Sequence, residues 1–94
     1  MNDPLALWLN EWGEWLDKLL TTGLANPTRE TRVRIERWCA DAEALGFRDQ
    51  QAAARTMLAD DTPATQRAKA FLGLLLEQDM LTRLLEAGHL VEER

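Results

Sequence analysis

Apolar side chains recur every three to four residues over most of this chain, and the recurrence breaks at the same kind of place each time. Asp3-Pro4, Asn26-Pro27-Thr28 and Asp60-Asp61-Thr62-Pro63 each combine a capping side chain with a proline. Proline fits the first helical turn, because its missing N–H is one that a helix start leaves unused anyway. Gly23-Leu24, Gly46-Phe47 and Gly88-His89-Leu90 supply the matching stops. In each, a glycine able to turn left-handed is followed by an apolar residue that can fold back on the helix. Asp49 offers a further cap. The punctuation predicts four helices, over about 4–20, 27–45, 50–59 and 63–87, in one domain spanning 1–94. The expected fold is all-α, a compact bundle with short loops and a long C-terminal helix of about 36 Å.

The first helix carries LWLNEWGEWL, with Trp8, Trp12 and Trp15 inside eight residues. On a helical wheel these tryptophans join Leu5, Leu9, Leu16, Leu19 and Leu20 in one apolar arc of about 140°, the width of a core-facing helix. Trp12 lies within the arc and is expected in the core. Trp8 and Trp15 sit on its edge, where an indole could stay exposed and serve as a binding anchor. In the second helix Thr28, Thr31, Ile35, Trp38, Cys39, Ala42 and Leu45 share a face. Trp38 reads as core, and Cys39 as a small buried hydrophobe.

The fourth helix breaks the pattern. Over AFLGLLL, residues 70–76, apolar side chains surround it. Ala64, Ala68, Phe71, Leu74, Leu75, Leu81 and Leu85 make one sufficient core face. Leu72, Leu76 and Met80 form a separate ridge at steps of four. A helix that is apolar all round is buried all round. Either helix four is central, wrapped by the other three, or its ridge meets another molecule. The short, alanine-rich third helix has little bulk with which to cover it.

Composition narrows the function. The net charge of −5 argues against direct nucleic-acid binding, which needs surplus cations to neutralise phosphate. The four arginines of TRETRVRIER (Arg29, Arg32, Arg34 and Arg37) spread around their helix, so they form at most a small basic patch. The spacings Glu30–Arg34 and Arg32–Glu36 suit helical ion pairs, and Glu11, Glu14 and Asp17 are further possible neighbours. One cysteine leaves no internal disulfide, which fits a cytoplasmic protein. No run suggests a membrane span or a signal peptide. Nine arginines against two lysines hint at a GC-rich bacterial or phage genome.

No catalytic constellation emerges. The chain has no serine and a single histidine, His89, which is placed to cap a helix end. One Cys and one His far apart do not make a zinc site, and no cofactor motif is present. Glu11 with Glu14 is the nearest approach to paired carboxylates, on a solvent face. The reading is therefore a non-enzymatic interaction module. It would be an adaptor, regulatory subunit or inhibitor, working as a homodimer or on a protein partner through Leu72, Leu76 and Met80, with Trp8 and Trp15 as further contacts. The alternative is a small acidic phage or bacterial inhibitor that occupies the nucleic-acid site of a defence complex.

Overall fold

Capping side chains and glycine turns divide the chain where the sequence pattern breaks. The computed structural model describes the backbone of residues 3–92 and the side chains of residues 3–88. It consists of α1 (Pro4–Thr22), α2 (Arg29–Leu45), α3 (Arg48–Leu58) and α4 (Ala64–Glu92), with no strand among the described residues. Asp3 caps α1, its Oδ1 accepting from the Leu5 N–H at 3.0 Å. Thr28 caps α2 in the same way, accepting from the Thr31 N–H at 3.1 Å. Pro27 therefore lies just outside α2, and the helix starts later than the proline suggests.

Gly46 closes α2 as expected. Its φ of 92° and ψ of 10° place it in the left-handed region, where a Cβ would crowd the backbone. The next residue, Phe47, donates its N–H back to the Ala42 carbonyl at 2.8 Å and stacks its ring on Trp8. That return determines where α3 begins. The helix starts at Arg48, behind Phe47 and with no side-chain cap. The expectation that Asp49 caps α3 is thereby corrected: Asp49 falls inside the first turn, because aromatic packing of Phe47 anchors this junction.

Gly88 does not end α4 either. Among the described glycines only Gly23 and Gly46 have positive φ, and α4 continues to Glu92. A glycine inside a helix costs roughly 1 kcal/mol relative to alanine, which weakens a helix without stopping it. The backbone of His89 is accordingly helical. The capping role expected of its side chain lies outside the described residues.

The helices pack in a ring. α1 packs on α2 and α4, and α3 packs on the same two, while α2 and α4 do not approach each other. Polar contacts fix the order. Arg34 of α2 reaches Glu11 and Glu14 of α1. Arg32 donates to the Leu58 carbonyl at the end of α3, at 3.0 Å, and Gln50 of α3 bonds to Glu77 of α4. Gln78 of α4 donates to the Leu9 carbonyl of α1 at 3.3 Å. Gly13 makes room for that last contact, because a Cβ there would stand 3.0 Å from the Gln78 amide nitrogen.

The core is an aromatic cluster centred on Trp38. Trp8 stacks on it, with ring centroids 4.7 Å apart and an interplanar angle of 7°. Trp12 tilts against it at 5.1 Å, and Trp15 meets it edge to face at 5.2 Å. Offset-stacked and edge-to-face pairs suit the ring quadrupoles and add about 0.5–1.5 kcal/mol each beyond burial. The Trp8 indole N–H donates to the Trp38 carbonyl at 3.2 Å. The indole nitrogens of Trp12, Trp15 and Trp38 are buried with no hydrogen-bond partner. Area and aromatic contact, rather than polar pairing, hold these three rings.

Candidate interaction surface

The cluster decides the status of the tryptophans. Trp8 is 4% exposed and Trp15 is fully buried. The expectation that either indole is offered as a binding anchor is therefore corrected. A wheel assigns them to the edge of an arc, but α2 and Phe47 close over that edge. Trp12 and Trp38 are buried as expected.

The second ridge of α4 has the opposite fate. Phe71 and Leu74 are buried, and Leu75, Leu81 and Leu85 pack half-buried against the cluster. Only α1 and α3 border the helix, so α4 is a peripheral helix and not a central one. Its outer side stays open: Leu72 is 55% exposed, Leu76 70%, Met80 53% and Leu84 61%. These residues lie at i, i+4, i+8 and i+12, so they form one continuous ridge. Leu84 extends the ridge read from the sequence, which stopped at Met80. The unbroken step of four was the signal that could have found it. Gly73 lies beside the ridge, with open space where a Cβ would be. Four large apolar side chains more than half exposed in one row make a patch on the order of several hundred Å², which monomers rarely show without a use.

A second apolar feature lies between α1 and α2. Leu7 and Leu45 border a groove of about 620 Å³ floored by Trp8 and Trp38, with Arg37 and Asp41 on its rim. The exposed apolar rim comes from Leu7 and Leu45, since both indoles are almost fully buried.

Three of the arginines, Arg29, Arg34 and Arg37, border one shallow depression with Lys18, Glu30 and Val33, while Arg32 lies apart beside Arg55 and Leu58. Arg34 lies between Glu11, at 3.3 Å, and Glu14, at 3.2 Å. Arg32 is drawn to the Leu58 carbonyl and stands 4.0 Å from Asp60. Neither of the expected pairs within α2, Glu30–Arg34 or Arg32–Glu36, is among the ion pairs formed. Partners on α1, for Arg34, and at the end of α3 and the turn after it, for Arg32, replace them. Arg29 and Arg37 remain exposed. The pair of carboxylates at Glu11 and Glu14 is likewise occupied by Arg34 rather than free.

Cys39 is buried, and burial pushes its thiol above the usual value, while Arg55 nearby pulls the other way. A raised thiol pKa means little thiolate, which is the reactive form. The described residues contain no group of three or more His, Cys, Asp or Glu side chains placed to hold a metal ion. No helix among them is long and apolar enough to cross a membrane.

Compared with known proteins, the chain matches no family model, no curated protein and no solved structure.

Proposed function

We propose that this protein is a non-enzymatic interaction module, an adaptor, regulatory subunit or inhibitor, whose working surface is the outer ridge of α4. The exposure of Leu72, Leu76, Met80 and Leu84 on a helix already anchored by its other face carries this reading. Such a ridge suits an apolar protein surface of matching grooves, since rows at steps of four interdigitate between helices. The buried, single cysteine fits work in a reducing compartment such as the cytoplasm. The rival reading, an acidic occupant of a nucleic-acid site, draws less support, because Arg34 engages two of the carboxylates on α1.

Capture from a native lysate with wild type and with Leu76→Glu tests the proposal. Leu76 is 70% exposed, so the variant is expected to fold. Its helical dichroism should match wild type, while ridge-dependent partners are lost from the capture. Retention of every wild-type partner by the folded variant would move the working surface elsewhere. Binding that survives moderate salt supports the apolar ridge. Steep loss with salt supports the acidic alternative.

A further inference from the structure

Beyond the ridge of α4, we infer that this chain carries a second docking surface, a polarised groove between α1 and α2 whose occupant is an acidic peptide segment with an apolar anchor. The groove joins two depressions, because Arg34 and Arg37 border both of them. At one end Lys18 of α1 and Arg29 of α2 join those two arginines. At the other end stand Leu7 of α1 and Leu45 of α2, 53% and 37% exposed. No residue of α4 borders either depression, so this surface is separate from the ridge.

Charge selects the occupant. Four of the chain's eleven lysines and arginines border the basic end, against one of its sixteen carboxylates, Glu30. Four cations against one carboxylate give +3, in a chain whose net charge is −5. Arg34 is already held by Glu11 and Glu14; without it, three cations still face one carboxylate. Lys18, Arg29 and Arg37 are exposed and form no ion pair among the described residues. Asp17, next to Lys18 in sequence, borders a different depression, on the side of α4. The apolar end is neutral, since Glu11 and Asp41 there offset Arg34 and Arg37. Positive charge therefore collects at one end of the groove only.

Arg29 carries the argument further. It is the first residue of α2, where the helix dipole disfavours a cation. Val33 and Arg37 follow it at steps of four, so the two arginines stand along one side of the helix. Helix stability alone favours a carboxylate at this position. An acidic partner offsets both the dipole and the mutual repulsion of the cations. Its length is set by the groove: Leu7 to Lys18 is about 16 Å along α1, which about five residues of extended peptide span. Nucleic acid suits the groove less well. The net charge of −5 repels a polyanion, and the four indoles that could stack on bases are buried.

A displayed library of random peptides of about twelve residues, long enough to span the groove, supplies the probe. Selection on wild type should enrich peptides that Leu76→Glu still binds, which sets them apart from ligands of the ridge. These should place acidic residues roughly five positions from a large apolar residue. Fluorescence anisotropy on the leading peptide should show binding weakened about tenfold by Arg37→Glu and largely kept by Arg37→Lys. Leu7→Gln should weaken it by a smaller factor, and added salt should weaken it steeply. Arg29→Glu should also weaken it about tenfold while melting no lower than wild type, because a carboxylate suits the first turn of α2. An arginine kept only for stability would give a lower melting point. Enrichment of no such peptide, or of peptides without acidic residues, would overturn the proposal. So would a leading peptide that Arg29→Glu and Arg37→Glu bind as wild type does. Tighter binding of a short single-stranded oligonucleotide than of the leading peptide would overturn it too, in favour of nucleic acid.

Discussion

α1 and α4 are both rich in large apolar residues, yet the chain treats them in opposite ways. α1 buries all three tryptophans and turns four leucines toward its neighbours, while Leu7 and also Leu20, which the wheel placed in the core-facing arc, stay more than half exposed. α4 has apolar residues on every side, buries Phe71 and Leu74, and leaves four large side chains in water. Neighbours make the difference. α1 is flanked by α2 and α4, and the α2 side brings Trp38 and Phe47, two rings that spread over the indoles. α4 is flanked by α1 and by the short α3, whose alanines bring helices close but cover little. Apolar content sets how much surface a helix can bury. The bulk of the adjacent helices sets how much it does bury.

The contrast can be broken most sharply at the centre of the aromatic cluster. Trp38→Ala should destabilise the fold by about 3–5 kcal/mol, because three other indoles lose the ring they pack on. Denaturant titration followed by dichroism would measure it, and a loss below about 1 kcal/mol would mean that the cluster is not the core. Next in size is the α2–α3 corner that delivers Phe47 to Trp8. Gly46→Ala should cost roughly 1–2 kcal/mol from the left-handed backbone alone, and thermal melts would show the midpoint falling by several degrees. A smaller effect is expected where α1 and α2 meet at the surface. Arg34→Met removes two ion pairs among half-exposed side chains, and such pairs contribute about 1 kcal/mol or less. High salt should shrink the difference between Arg34→Met and wild type. The smallest change is expected on α4, where Leu84→Gln should alter monomer stability by less than about 0.5 kcal/mol. A larger loss at Leu84 would show that α4 is as covered as α1 and would erase the contrast.

The local pattern carried much of this molecule. Asp3-Pro4 and Thr28 start helices where the sequence places them to within a residue or two, and Gly46-Phe47 forms the expected left-handed stop with an apolar return. These devices act through backbone geometry and hydrogen bonds within a few residues, so neighbouring letters suffice to read them. Gly88 shows the limit of the same logic. Glycine permits a stop without imposing one, and the helical backbone beyond it carries on.

Period alone also identified the buried faces of α1 and α2, including Trp12, Ile35 and Trp38, because a stripe of apolar residues on a helix must face some neighbour. It could not say which neighbour, or how large. Whether Trp8 and Trp15 sat at the rim or inside depended on rings supplied from Trp38 and Phe47, some 23 to 39 positions away in the chain. Whether Arg34 paired within α2 or across to α1 depended on the same packing. The ridge of α4 was legible as a second apolar face, but the sequence left open whether it was central or peripheral. Only the ring order of the helices, which keeps α2 away from α4, settled that it is peripheral and faces water. Sequence determined where the helices lie and which faces are apolar, because those follow from local hydrogen bonding and the 3.6-residue period. Tertiary structure decided which apolar faces are covered, because coverage depends on the volume that distant segments bring to the contact.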